Sequence, residues 1–231
     1  MIVQLASYPR SGVTFLRLVI ERLYRLPTWT LYPEVPDPAG VFAGNRQWKT
    51  CGAPDIPVHF IKTHCAELMA DCTNAIHLIR DGRDAIVSQA HFLQKFSPRE
   101  FGGRAIATIS RELIEHGQYG LPTWGEHTLA WLERDVPRLT FDALVADPIA
   151  EVTRVVAKVA PELVPRDDVT IETFPELQGR SNGFFRSGKG GGWRAEWPQD
   201  LQELFYERNT EAMCWANGAA ASSAARTCET A

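Results

Sequence analysis

The chain opens with an apolar run, IVQLA (residues 2–6), followed by SYPRSGVTF (7–15) and an amphipathic run, LRLVIERLYRL (16–26). A short apolar run without polar alternation is that of a strand covered on both faces, and apolar residues at i, i+3 and i+4 mark a helix with one buried side. Strand, turn and helix at the outset commit the chain to an α/β domain. The unalternating pattern recurs at 58–61, 75–79 and 138–141, and the helical spacing at 14–26, 84–92, 149–159 and 201–215. This alternation predicts a three-layer α/β/α fold with a central parallel sheet. With 231 residues, 45% of them apolar, one domain can bury roughly 70–75% of its unfolded surface. That domain is expected over 1–216, with NGAAASSAARTCETA (217–231) as a disordered tail. Residues 32–57, rich in Pro and Gly, form a long excursion between the first two strand units.

A net charge of −4 argues against general nucleic-acid or membrane-surface binding, so an anion site must be a local basic cluster. Cys51, Cys65, Cys72, Cys214 and Cys228 form no CxxC pair. They fit thiols in a reducing cytoplasm, which is the expected location. No run approaches the ~18 apolar residues of a membrane span.

In an open α/β sheet ligands bind beyond the C-terminal strand ends, and 7–15 is the first of these. The N–H groups of Ser11, Gly12, Val13 and Thr14 can form a concave nest at a helix N-terminus, with Arg10 adding a full charge. A Ser/Gly-rich turn is more often structural, so this stretch alone decides nothing. It also lacks GxxxxGK[ST], and no strand ends in a clear magnesium-binding Asp, which disfavours a nucleoside triphosphate with its metal. Three further stretches sit at strand ends or near the C-terminus. KTHCAEL (62–68) puts a cation, Lys62, and a titratable base, His64, on one side of an extended chain. In HLIRDGRDAIVSQAHF (77–92), Arg80 and Ser88 can meet a second anion. FFRSGKGGGWRAEW (184–197) joins Arg186, Lys189 and Arg194 with glycines, a loop suited to closing over phosphate.

In this order the stretches resemble the sulfotransferases that use 3′-phosphoadenosine 5′-phosphosulfate (PAPS), chiefly the cytosolic type and its bacterial relatives. SYPRSGVTF is similar to the family's YPKSGTTW, KTHCAEL to its KTHLP segment, and FFRSGKGGGW to its RKGxxGxW loop. Arg80 and Ser88 have the family's eight-residue spacing, and WGEHTLAW (124–131) its WxxHxxxW. The resemblance runs from residue 7 to about 197 and implies a P-loop-like sulfotransferase fold. It further implies transfer of a sulfuryl group from PAPS to the hydroxyl of a small-molecule, lipid or natural-product acceptor, releasing 3′-phosphoadenosine 5′-phosphate (PAP), with no metal.

By the same resemblance His64 takes the acceptor proton, Arg10 and Lys62 stabilise the transferring group, and Ser11, Gly12, Val13 and Thr14 hold the 5′-phosphate. Arg80 and Ser88 hold the 3′-phosphate under a loop of Arg186, Ser187 and Gly188, and Phe15 and Phe174 clamp the adenine. The departures are Arg10 for the loop lysine, Ser187 for a second lysine, Phe15 for Trp, and Phe141 where relatives have Tyr. Rival readings are a nucleotide or small-molecule kinase and a non-catalytic PAPS- or PAP-binding protein. Loops at 31–51 and 93–122, with Trp48, Phe96, Phe101 and Tyr119, are candidates for the acceptor pocket. The acceptor and the oligomeric state stay open. Trp124, His127 and Trp131 read as core, and Arg83 as solvated.

Overall fold

A computed structural model describes residues 1–32, 46–48, 55–69, 72, 74–180 and 190–221, excepting the side chains of 174, 175, 180 and 216–221. Five parallel strands form one sheet: β1 (Ile2–Ser7), β2 (Thr28–Thr30), β3 (His59–Thr63), β4 (Asn74–Ile79) and β5 (Arg138–Thr140), in the order β2-β3-β1-β4-β5. β1 pairs on one side with β3, Leu5 opposite Lys62, and on the other with β4, Leu5 opposite Ile76. The chain therefore reverses its direction of travel across the sheet at β1, and a crevice opens there beyond the strand ends. The full burial of β1 after Ile2 follows from its central place, with helices over both faces.

Side-chain alternation along β1 assigns the layers. Val3 and Leu5 join the main apolar cluster with Leu16, Val19 and Leu23 of α1 (Val13–Tyr24) and Val152, Val155 and Val156 of α7 (Pro148–Val159). Ala6 packs on Trp131 of α5 (Trp124–Leu132). A second cluster joins Tyr8 and Trp124 to α2 (Gly82–Phe96), α4 (Ile106–His116) and α9 (Gln199–Ala221). Short helices α3 (Pro98–Phe101), α6 (Phe141–Ala146) and α8 (Phe174–Arg180) complete the described helices.

Three expectations change. Residues 93–122, read as a loop, contain α3 and α4, whose Phe101, Ile109 and Leu113 are buried. The strand read as 138–141 stops at Thr140, because the Thr140 hydroxyl accepts the Ala143 N–H and caps α6 at Phe141. The α9 backbone runs past 215 to Ala221, and 222–231 lie outside the described residues. Trp124, His127 and Trp131 are core, each at most 1% exposed. Among the described residues no helix is long and apolar enough to cross a membrane.

Candidate active site

Three strand ends converge on the crevice beside β1. After Ser7 the chain turns sharply: the Ser11 N–H donates to the Tyr8 carbonyl at 3.2 Å. Arg10 (φ 64°) and Gly12 (φ 103°) both lie in the left-handed region. A non-glycine residue held there is strained by roughly 1–2 kcal/mol, a recurrent feature of ligand-binding turns. Gly12 is required for a second reason, since a Cβ there would stand 2.6 Å from Phe141 Cδ2. Gly12 caps α1 without a side-chain hydrogen bond, and no acidic residue stands in the first turn. The Val13 and Thr14 N–H groups thus open the helix with no acceptor inside it. The Ser7 and Ser11 hydroxyls are buried and lack hydrogen-bond partners. Donors and helix dipole together make this an anion-seeking end.

Two details of the nest differ from expectation. The Ser11 N–H is consumed by the turn, which moves the free donors to Val13 and Thr14. Phe15 is 2% exposed within the main apolar cluster. Its ring anchors the first turn of α1 to the core and offers no open face to a base.

At the end of β3, Lys62 is half-buried, with Nζ 5.7 Å from the centre of the Tyr32 ring. Burial, then the charges of Arg17 and Arg10, lowers its pKa to about 7. His64, 8% exposed, has Nδ1 2.6 Å from the Ser7 carbonyl oxygen. A carbonyl only accepts, so Nδ1 carries the proton and Nε2 keeps its lone pair. Tyr32 fixes the ring by stacking on it (5.1 Å between centroids, 21° between planes) and by accepting the His64 backbone N–H at 2.5 Å. Burial, followed by Lys62, holds the His64 pKa well below its ordinary value, and the bond to Ser7 opposes this only in part. The imidazole is neutral at pH 7.

At the end of β4, Arg80 donates from Nη1 to the Arg10 carbonyl at 3.0 Å and lies 4.2 Å over the Phe141 ring. Ser88, 5% exposed on α2, accepts from Arg10 Nε at 3.4 Å, and the Arg10 guanidinium lies 5.0 Å over Phe92. A cavity of about 370 Å³ opens here, lined by Arg10, Ser88, His91, Phe92, Gln94, Lys95 and Phe96. Four cations, Arg10, Arg17, Lys62 and Arg80, thus gather at one sheet edge of a chain with net charge −4.

Structure therefore unites Arg10, Ser11, Gly12, Val13, Thr14, Lys62, His64, Arg80 and Ser88. Phe174 begins α8, but its side chain, like Arg186, Ser187 and Gly188, lies outside the described residues. Arg83, expected to be solvated, is packed instead: it donates to both Asp81 oxygens and to the Tyr206 hydroxyl, and lies 4.4 Å over the Trp193 ring. Of the aromatics proposed for the acceptor pocket, Phe96 lines the cavity, Phe101 is core, Tyr119 is 66% exposed and Trp48 packs on Trp29 and His59. Sequence reasoning missed Tyr32, whose only signal is an aromatic just past β2. It also missed Arg17, 1% exposed, which donates from Nε to the Thr28 hydroxyl at 2.8 Å.

No family model matches the chain. Sulfotransferase 1E1 of Mus musculus is 22% identical over 255 residues, covering 90% of this chain and 82% of that protein. Sulfotransferase 1A1 of Bos taurus is 22% identical over 240 residues, covering 87% and 79%. Among solved structures, mouse sulfotransferase SULT7A1 complexed with PAP superposes with a TM-score of 0.67 at 20% identity, covering 94% of this chain and 88% of that one. Retinol dehydratase in a complex with retinol and PAP gives 0.62 at 18% identity, covering 92% and 81%. The structural matches establish the fold, and the sequence matches run along nearly the whole of the chain that carries the five motifs. Over nearly its whole length the chain is thus similar in sequence to sulfotransferases and shares the fold of sulfotransferase structures complexed with PAP.

Proposed function

We propose that this sulfotransferase moves the sulfuryl group of PAPS to the hydroxyl of a small-molecule acceptor, with His64 as the general base and no metal. PAPS would supply an activated sulfuryl group and leave as PAP. The residues present suit its two anionic ends. Val13 and Thr14 N–H groups, the Ser11 hydroxyl and Arg10 form the 5′ cradle. Arg80 and Ser88 form the 3′ cradle, and Arg186, Ser187 and Gly188 are assigned by sequence to the loop over it. Lys62 and Arg10 carry positive charge to where negative charge develops, where loss of one such donor costs about 3–4 kcal/mol. The buried Phe15 ring is withdrawn from direct stacking, which leaves Phe174 as the proposed adenine contact.

One observation carries the reading: the Ser7 carbonyl fixes the His64 tautomer, so that Nε2 is an unprotonated base beside Lys62 and Arg10. Such a base accepts the acceptor's hydroxyl proton as the new bond to sulfur forms. A retinol and PAP complex on the same fold agrees with a hydroxyl-bearing acceptor. Free thiols at Cys65, Cys72 and Cys214 agree with a cytoplasmic enzyme.

The test is transfer of labelled sulfate from PAPS to a panel of phenols and alcohols. His64→Gln should lower kcat by about 10²–10⁴ while leaving PAP affinity unchanged. Equal turnover by the variant removes His64 from its role. Tight PAP binding with no transfer to any hydroxyl favours the non-catalytic reading.

A further inference from the structure

A base that must take up a proton is here crowded by positive charge. Burial first, and then the charge of Lys62, disfavour the imidazolium form of His64. One neighbour does the opposite, and sheet register delivers it. β2 and β3 pair with Thr28 opposite Phe60 and Thr30 opposite Lys62. The Leu31 N–H extends that pairing by donating to the Lys62 carbonyl at 3.2 Å, and the Tyr32 N–H returns to the Thr30 hydroxyl at 3.2 Å. Two residues beyond Thr30, Tyr32 therefore lies beside His64, two residues beyond Lys62. Its ring stacks on the imidazole with 5.1 Å between centroids and 21° between planes, while Lys62 Nζ stands farther out, 5.7 Å from the centre of the same ring. The Tyr32 hydroxyl accepts the His64 backbone N–H at 2.5 Å. Apolar packing does not account for this placement: among the described residues Tyr32 joins none of the three apolar clusters. Burial holds its phenol well above the ordinary pKa, so the ring is neutral and turns the negative face of its quadrupole to the imidazole.

Resting on the function proposed above, we infer that Tyr32 is a positioning residue for the proton transfer: its hydroxyl fixes the backbone of the base, and its ring face stabilises the imidazolium that forms. As the acceptor O–H bond breaks, the proton passes to His64 Nε2 and the acceptor oxygen bonds to sulfur. The bond from sulfur to the bridging oxygen breaks, and its electron pair leaves on PAP. Positive charge thus appears on the ring that Tyr32 covers. A cation over an aromatic face gains more than a neutral ring does, so the contact strengthens as the charge develops. The consequence is selective: turnover depends on Tyr32, and PAP affinity does not.

PAPS turnover with the best of a panel of phenols and alcohols, and calorimetric titration of PAP, test this in wild type, Tyr32→Phe and Tyr32→Leu. Tyr32→Leu is also made in the His64→Gln background. In the native background Tyr32→Leu should lower kcat about ten- to a hundredfold, with PAP affinity and the KM for PAPS unchanged. Tyr32→Phe, which keeps the ring, should recover most of that loss. Because Tyr32 acts through His64, Tyr32→Leu should cost nothing further in His64→Gln. Three results each overturn the inference: an unchanged kcat in Tyr32→Leu, a loss as large in His64→Gln as in wild type, or a Tyr32→Phe variant no faster than Tyr32→Leu. Wild type that transfers no sulfate, or a His64→Gln variant as fast as wild type, overturns instead the reading on which it rests. Should Tyr32→Leu fail to fold, proton NMR of the wild type decides: His64 ring protons shifted upfield by the stacked phenol agree, and unshifted protons refute.

Discussion

Lys62 titrates near pH 7 in the free protein, and the rate profile should show it. Above that pH its protonated share falls roughly tenfold per unit. The quantity kcat/KM for PAPS reports groups of the free enzyme. If the Lys62 cation stabilises the transferring group, kcat/KM drops roughly fiftyfold between pH 7 and pH 9. In the complex an adjacent anion favours the charged ammonium by about 1–3 units, so the same limb in kcat moves to higher pH. Unfolding does not mimic the effect. The folded pKa lies below the unfolded 10.5, so the unfolded chain binds more protons between 7 and 10.5, and stability rises with pH across that window. On the acid side the His64 pKa is held well below its ordinary value by burial and then Lys62, so its limb falls at lower pH than that of a free imidazole. Lys62→Arg keeps its charge throughout, so it should abolish the alkaline limb while lowering the plateau through altered reach. A flat wild-type profile through pH 9, or an unchanged limb in Lys62→Arg, refutes the reasoning.

Stability gives two further expectations. Gly12→Ala meets both a left-handed φ and the Phe141 ring at 2.6 Å, so urea titration should show a loss of about 2 kcal/mol or more. Adding Phe141→Leu should recover only the steric part. His127, fully buried with both ring nitrogens unpartnered, has its pKa lowered to about 3 by burial and then Arg134. The folded state refuses a proton that the unfolded chain accepts, so stability present above pH 6.5 is lost as pH falls toward 3. The loss reaches about 2 kcal/mol by pH 5. His127→Leu should remove most of that acid sensitivity, measured as the change in Tm between pH 7 and pH 5, and an unaltered change contradicts it.

The apolar runs that became β1, β3 and β4 were legible because each is buried on both faces. β2 is three residues long, too short to carry a period, and α4 was hidden by the glycines on either side of it. In α4, Ile106, Ile109 and Leu113 hold helical spacing and were there to be read. Motif spacing found Arg10, Lys62, Arg80 and His64, since local sequence fixes which residues emerge just past each strand end. It could not say which way Phe15 turns, because a first-turn aromatic serves a core or a ligand with the same spacing. Nor could it find Tyr32, 32 residues from His64. That contact arises from sheet order, which no short window records. Arg17 reads as the polar face of α1 until β2 is seen to cover it.

The central claim is a crevice built for two phosphates, one at the start of α1 and one at Arg80 and Ser88. Parallel titration of PAP and 5′-AMP, without metal, into wild type and Ser88→Ala tests it most directly. Wild type should prefer PAP, and Ser88→Ala should lose much of that preference while binding 5′-AMP as before. Equal binding of PAP and 5′-AMP by the wild type would contradict the account.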